Sequence, residues 1–138
     1  MYLLDTDTLT HLHAGHRRVI ERLQRVNTNH VATTIITKLE VLHGRMAALL
    51  KAADGEQLLR AQQVLLYSEQ ALGEILITPL DPTAAAIFDK LCSAKLGKIG
   101  HADLMIASIV LANKAILVTR NRKHFAKIPG LPIENWVD

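Results

Sequence analysis

The sequence is poor in cysteine and in aromatic residues. Cys92 is the only cysteine, so the chain cannot form an internal disulfide, which is typical of proteins from a reducing compartment. One tryptophan, two tyrosines and two phenylalanines provide few rings for stacking bases, which argues against an aromatic platform for single-stranded nucleic acid. The hydrophobic core must therefore be mainly aliphatic.

Long apolar segments and zinc-binding patterns are also absent. The longest run of apolar and small residues, 104–112, is far shorter than the roughly 20 residues of a membrane-spanning helix. The amino terminus does not show the basic segment and long apolar segment of a secretory signal peptide. The seven histidines show no HExxH arrangement, so no zinc hydrolase is predicted. These absences predict a cytoplasmic protein that does not enter a membrane.

The overall composition indicates one globular domain. The 138 residues are 49% hydrophobic and 21% charged, which is typical of a folded chain, and the length suits a single domain spanning residues 1–138. The formal net charge is +3 and the isoelectric point is about 9.2. This balance favours a negatively charged partner without requiring one.

Apolar periodicity predicts strands that alternate with helices. Four β-rich segments and a last extended piece near the carboxyl end are the predicted strands, at 2–4, 31–33, 75–77, 115–118 and near Trp136. Strands separated by helices predict an α/β sandwich with a central parallel sheet. Two of the helices have apolar stripes that are expected to face the core. These stripes are Ile35, Leu39, Leu42, Met46 and Leu49 in the first, and Leu58, Leu59, Leu65 and Leu66 in the second.

Three acidic residues stand where such a fold would bring them together. Asp5 ends the first strand, Glu40 interrupts an apolar helix, and Asp103 lies in the first turn of another helix. Ligands of open α/β sheets bind at the carboxyl ends of the strands, and clustered carboxylates repel one another unless a cation neutralises them. Oxygen-only ligands suit Mg²⁺ or Mn²⁺. The pattern therefore predicts a divalent-metal site.

Each acid also has a structural interpretation. Asp5 could simply end the strand or cap the following helix, and Asp103 could interact with the dipole of its own helix. Glu40 is expected at the margin of the buried stripe, where a carboxylate would be partly desolvated and would need a partner. Asp7 is interpreted as a helix cap rather than as a metal ligand.

Basic residues cluster in two places. One group follows the last buried strand and comprises Arg120, Arg122, Lys123, His124 and Lys127. It is either a solvated loop or, at the mouth of an acidic pocket, a means of holding phosphates that the acids would repel. The other group lies on the second helix and comprises Arg17, Arg18, Arg22 and Arg25. We interpret it as a solvent-facing side or a surface for an acidic partner.

The chain resembles a known family in the order and spacing of several short motifs. Each motif alone is weak, but the ordered set covers nearly the whole chain. The motifs are Leu4-Asp5-Thr6-Asp7, Leu39-Glu40-Val41-Leu42-His43-Gly44, the segment 100–107, Ile116-Leu117-Val118-Thr119-Arg120-Asn121, His124-Phe125, Ile128-Pro129-Gly130-Leu131 and Glu134-Asn135-Trp136. In these features the sequence resembles PIN-domain ribonucleases, specifically the VapC-type toxins of bacterial toxin–antitoxin pairs.

This resemblance implies a PIN-like fold with a parallel sheet of about five strands and a Mg²⁺-dependent endoribonuclease, in which Mn²⁺ can substitute. Asp5 and Asp103 would bind the metal, and Glu40 would support it directly or through water. A water activated by the metal would attack an RNA phosphodiester. The resemblance further implies a cognate antitoxin that holds the toxin inactive, and a homodimer.

Around the turn after the last buried strand, the chain departs from the family pattern. Many relatives carry a fourth acid where this chain has Asn121. Because an amide cannot neutralise a second cation, Asn121 favours a one-metal site. Thr119 could assist through its hydroxyl group or simply end the strand, and Arg120, Arg122 and Lys123 are the candidate substrate-binding residues.

Two other functions are compatible with parts of the sequence. Asp5-Thr6-Asp7 resembles the paired acids of haloacid-dehalogenase-like phosphohydrolases, but Leu9 stands where that motif has Thr or Val, and Glu40 would have no role. A PIN-like scaffold that binds RNA or a partner without cleavage is the second alternative, and Asn121 is the residue that favours it.

Overall fold

The computed structural model describes residues 1–138 and contains one sheet of five parallel strands. The strands are β1 (Tyr2–Leu4), β2 (Val31–Thr34), β3 (Leu76–Thr78), β4 (Ile116–Val118) and β5 (Ile133–Glu134). Their order across the sheet is β3-β2-β1-β4-β5. The predicted α/β architecture with a central parallel sheet is therefore confirmed, and the first strand of the chain is also its middle strand.

Seven helices flank the sheet. They are α1 (Thr6–His13), α2 (Arg17–Gln24), α3 (Ile35–Lys51), α4 (Gly55–Gly73), α5 (Pro82–Ser93), α6 (His101–Ala112) and α7 (Arg122–Phe125). Gly15, at a φ of +81°, makes the left-handed turn between α1 and α2, a conformation that side chains disfavour. A short 3₁₀ turn at Thr28–His30 and helix α7 were not predicted from the sequence. None of the helices is long and apolar enough to cross a bilayer.

The strand register places the ends of β1 and β4 side by side. Leu4 pairs with Thr33 on one side and with Val118 on the other. The next backbone N–H, that of Asp5, donates to the Val118 carbonyl oxygen at 3.0 Å. Since all strands run in the same direction, the residues that follow them meet at one edge of the sheet.

The sheet has a core on each face, because successive strand residues point to opposite sides. Leu3 and Leu117 pack on one face. Leu4 and Val118 pack on the other face, together with Trp136. Helix α6 contributes Ile106, Ile109 and Val110 to the core, and these side chains are fully or almost fully buried.

The predicted inward stripes of α3 and α4 are only partly correct, since Ile35 and Leu42 pack against the core but several other members are exposed. Leu39 and Met46 are 57% and 47% exposed, whereas the buried residues of α3 are Ile36, Thr37 and Val41. In α4 three of the four predicted core residues, Leu58, Leu59 and Leu66, are exposed.

The reason is the length of these two helices. They have 17 and 19 residues, or about 26 and 29 Å, whereas the strands beneath them are only about 10–13 Å long. The helices therefore extend beyond the sheet as a hairpin and contact each other, for example through Arg45 Nε, which donates to Ser68 Oγ at 3.2 Å. Apolar periodicity identified the helices but could not show where the sheet ends.

Candidate active site

Asp5 lies at the carboxyl end of the central strand and is fixed in place by its role as the cap of α1. Its Oδ1 accepts a hydrogen bond from the Thr8 backbone N–H at 2.8 Å. The residue is only 8% exposed. Burial raises the pKa of the Asp5 carboxyl above its ordinary value of 3.8, and hydrogen bonds from Thr119 and Thr8 offset this rise only in part. The helix cap is thus Asp5 and not Asp7, so the interpretation of Asp7 as the cap is wrong.

Glu40 approaches the same edge from α3. The Thr6 hydroxyl donates to Glu40 Oε1 at 2.6 Å, which ties the start of α1 to α3. The prediction that Glu40 is partly desolvated is wrong, because the residue is exposed. It nevertheless lies on the same face of α3 as the buried Ile36 and Thr37, which precede it by four and three residues. Sequence reasoning missed Thr6 as its partner, because the pair is 34 residues apart.

Asp103 approaches from the first turn of α6. Its Oδ2 lies 2.7 Å from His124 Nε2, and the two side chains are 37% and 22% exposed. His124 belongs to α7, which the sequence did not predict. In the sequence the histidine belongs to a basic run and to one of the family motifs, but nothing in its spacing could have identified it as the partner of Asp103.

A cavity of about 450 Å³ brings these acids together. The lining residues come from four segments of the chain: Asp5, Thr6, Asp7, Glu40, Asp103, Ile106, Arg120, Asn121 and Phe125. The three predicted acids therefore share one cavity with two residues of the predicted turn. A larger cavity of about 730 Å³ lies away from them, with a mainly apolar lining that includes Leu12, His13 and Tyr67. It contains none of the three acids.

Three other predicted site residues do not line this cavity. Thr119 is fully buried. Its Oγ1 accepts a hydrogen bond from the Asn121 N–H at 3.1 Å, so Thr119 stabilises the turn from the interior of the protein. Arg122 and Lys123 are exposed on α7, beside the cavity rather than in it.

The donor chemistry of the cavity fits a hard divalent cation, but the ligands are not preassembled. Carboxylate oxygens are the ligands that Mg²⁺ and Mn²⁺ prefer, and no cysteine or zinc pattern competes for the ion. However, no three histidine, cysteine, aspartate or glutamate side chains are grouped closely enough to hold a metal as they stand. Asp5, Glu40 and Asp103 each have a partner within the protein. Direct binding of one ion by all three acids would require at least some of these side chains to reorient.

Comparison with known proteins identifies the family. The PIN domain family matches residues 2–131. The chain is 27% identical to the tRNA(fMet)-specific endonuclease VapC of Salmonella typhimurium, over 98% of this chain and 97% of that protein. It is 29% identical to the ribonuclease VapC2 of Haemophilus influenzae, over 99% and 98% of the two chains.

Solved structures agree with this assignment. VapBC2 from Rickettsia felis, bound to a DNA fragment from its promoter, has a TM-score of 0.81 and 25% identity over 98% of both chains. DNA-bound VapBC from Salmonella typhimurium has a TM-score of 0.82 and 23% identity, over 98% of this chain and 97% of that chain. These matches leave the haloacid-dehalogenase alternative without support. The chain belongs to the PIN-domain family of nucleases, and within it to the VapC-type ribonuclease toxins of toxin–antitoxin systems.

Proposed function

We propose that this ribonuclease is a Mg²⁺-dependent endonuclease, with Mn²⁺ as a substitute, and that its active site is the cavity shared by Asp5, Glu40 and Asp103. The observation that carries the proposal is the convergence of these three acids on one cavity, although they are contributed by distant segments. Neighbouring carboxylates repel one another, and a cation bound among them would remove this repulsion.

The three acids have different roles in this proposal. Asp5 and Asp103 hold the cation, and Glu40 contacts it directly or through water. When bound, the cation neutralises the carboxylates and stabilises negative charge on the phosphoryl oxygen. Asp5 is preoriented by the Thr8 N–H. Glu40 uses one oxygen for the Thr6 hydroxyl, so its second oxygen can orient the attacking water and accept its proton.

The substrate contacts follow from the residues around the cavity. Arg120 and Asn121 line it, so the guanidinium group of Arg120 can neutralise a phosphate beside the acids. Arg122 and Lys123 lie outside, where they can bind neighbouring phosphates of the same RNA strand. Thr119 supports the turn by accepting the Asn121 N–H. Because Asn121 is neutral, we propose a single metal ion.

The partners are a cognate antitoxin and a second copy of the chain. The solved relatives from Rickettsia felis and Salmonella typhimurium are VapBC complexes bound to DNA. In this chain, large apolar side chains are exposed along α3 and α4, including Leu50 at 86% and Leu59 at 65%. Exposed apolar surface of this extent is typical of a protein–protein interface. We further propose that residues 1–138 form a single PIN domain that acts in the cytoplasm.

Metal removal tests the proposed chemistry directly. We expect the purified protein to cleave RNA internally with Mg²⁺ or Mn²⁺, and to lose this activity in excess chelator, because the acids alone repel the phosphate. Asp103→Asn should be inactive under all conditions, whereas Asp89→Asn, a change of an exposed acid outside the cavity, should behave like the wild type. Sequencing the RNA ends identifies the cleavage sites.

Two results would contradict the proposal. Equal cleavage with and without chelator would exclude a metal mechanism. RNA binding without any cleavage, in the presence of either metal, would favour the non-catalytic alternative that Asn121 suggests.

A further inference from the structure

A second polar cavity lies beside the active-site cavity, where α2 meets the carboxyl-terminal residues. Its volume is about 260 Å³, and its lining is mainly charged: Arg18, Glu21, Arg22, Arg25, Asn135, Trp136 and Asp138. Arg120 connects the two cavities. It lines the active-site cavity, and its Nη2 lies 3.0 Å from Asp138 Oδ1. A linear molecule bound at the acids can therefore continue into the second cavity without leaving the protein surface.

Two arginines of this region form no salt bridge within the protein. Arg17 pairs with Glu21 at 3.0 Å, and Arg22 pairs with Glu134 at 2.6 Å. By contrast, Arg18 and Arg25 are exposed and form no salt bridge. Their guanidinium groups are free to bind an anion.

The Asp138 carboxylate is itself an anion bound in the second cavity. Its Oδ1 accepts from Arg120 Nη2 and its Oδ2 from Asn135 Nδ2, both at 3.0 Å. The hydrogen bond from Asn135, followed by the charges of Arg120 and Arg18, lowers the pKa of the Asp138 carboxyl below its ordinary value. The carboxylate is exposed, and exposed ion pairs of this kind contribute little stability. A phosphate group can therefore replace it.

We propose, on the basis of the ribonuclease function proposed above, that Arg18, Arg25 and Arg120 form a binding surface for RNA phosphates that flank the cleaved one. Asp138 occupies one of these phosphate positions in the RNA-free protein. In this role Asp138 competes with the substrate.

RNA fits this surface better than an acidic protein segment for two reasons. First, Arg120 lines the active-site cavity and contacts Asp138 of the second cavity, so a ligand held there is continuous with the one that is cleaved. Second, Arg18 near the start of α2 and Arg25 at its carboxyl-terminal cap are about two turns, or about 10 Å along the axis, apart, which suits a strand that carries charge at regular intervals. Guanidinium groups also bind phosphates through paired hydrogen bonds.

Binding of a labelled oligouridylate of roughly 20 nucleotides, measured by fluorescence anisotropy in chelator so that no cleavage occurs, tests the surface. The double variant Arg18→Gln/Arg25→Gln should raise the Kd about three- to tenfold at low salt. It should also reduce the slope of log Kd against log salt by about 1.4, since each phosphate contact on a single strand contributes roughly 0.7. Asp138→Asn should lower the Kd. Arg60→Gln, a change of an exposed arginine on α4, is the matched control and should leave both quantities unchanged.

Unchanged binding and salt dependence in the double variant, with an unchanged thermal midpoint, would overturn the proposal and leave the arginines as a surface for an acidic protein. Weaker binding by Asp138→Asn would overturn the competing role of Asp138. The failure of the phosphate-binding surface can be distinguished from the failure of the proposed ribonuclease function. A wild-type protein that cuts RNA while the double variant binds normally refutes only the surface. A protein that never cuts RNA, but whose double variant binds it weakly, supports the surface and refutes the ribonuclease mechanism.

Discussion

Asp5→Asn should abolish RNA cleavage and, at the same time, make the metal-free protein more stable. Asparagine cannot neutralise a cation, so the loss of rate is expected to be on the order of 10²–10³-fold, as when a group that stabilises developing charge is removed. Asparagine nevertheless caps helices as well as aspartate does. The contact with the Thr8 N–H should therefore remain, and the fold with it.

The gain in stability follows from the burial of Asp5. Because burial raises the pKa of this carboxyl above its ordinary value of 3.8, ionised Asp5 opposes folding at neutral pH. The cost is removed as the pH falls through the raised pKa. Asp5→Asn should consequently raise the thermal midpoint by a few degrees at neutral pH, since about 1 kcal/mol corresponds to roughly 3–5 °C in a domain of this size. The difference between variant and wild type should shrink in acid.

Thermal unfolding in chelator at several pH values, combined with an RNA cleavage assay, checks both parts. Asp89→Asn controls for the loss of one negative charge and should change neither activity nor the midpoint. A lower midpoint for Asp5→Asn at neutral pH would contradict the unfavourable burial of the Asp5 carboxylate. Full activity of the same variant would show that Asp5 does not take part in the reaction.

Trp136→Ala should cost about 3–5 kcal/mol of folding free energy, the range typical of buried Trp→Ala substitutions. Trp136 is 1% exposed, and its ring lies 5.3 Å from that of Tyr2. Its Nε1 donates to Glu134 Oε1 at 3.1 Å, and the Arg22 guanidinium lies 5.7 Å from its ring. The substitution would thus leave a void beside β1 and β5, and the midpoint should fall by roughly 10–20 °C.

Trp136→Phe separates the contribution of packing to stability from that of the hydrogen bond to Glu134. Phenylalanine keeps most of the apolar volume and loses the indole donor, so it should cost only about 1–2 kcal/mol. Tyr67→Ala, which removes a ring that is 55% exposed, is the control for loss of an aromatic side chain and should have a smaller effect than Trp136→Ala. Equal midpoints for wild type and Trp136→Ala would contradict the place of this ring in the core.

The sequence predicted the sheet well because its strands are short, apolar and separated by helices of ordinary length. Helix caps likewise follow local chemistry: Thr34 and Asp81 cap α3 and α5, and Thr and Asp are residue types that favour this position. The location of Asp5 and Asp103 on one cavity was predicted from the ends of the elements that carry them, and Glu40 was added as an acid inside an apolar helix. These features depend on local chemistry and on parallel topology, which the chain order largely determines.

The partners of the acids could not be predicted in the same way. The bonds from Thr6 to Glu40 and from His124 to Asp103 join residues 34 and 21 positions apart, and each requires the relative orientation of two helices. The exposure of Leu39 was missed for a related reason, because a helical period gives the width of an apolar stripe but not its direction. Glu40 is exposed because it lines the cavity, which a helical period cannot reveal. The outward-facing stripe on α3 and α4 reflects how far these helices extend beyond the sheet, which their apolar periodicity does not show.

The two-residue strand β5 links the stability of the protein to its catalytic turn. The Thr119 N–H donates to the Glu134 carbonyl oxygen at 2.9 Å, while the Glu134 side chain binds Arg22 and Trp136. Proteolytic cleavage before Ile133 would remove these hydrogen bonds and free the segment that carries Arg120 and Asn121. Such a cut would inactivate the enzyme although Asp5, Glu40 and Asp103 remain in the chain, so intact mass is a necessary check on any inactive preparation.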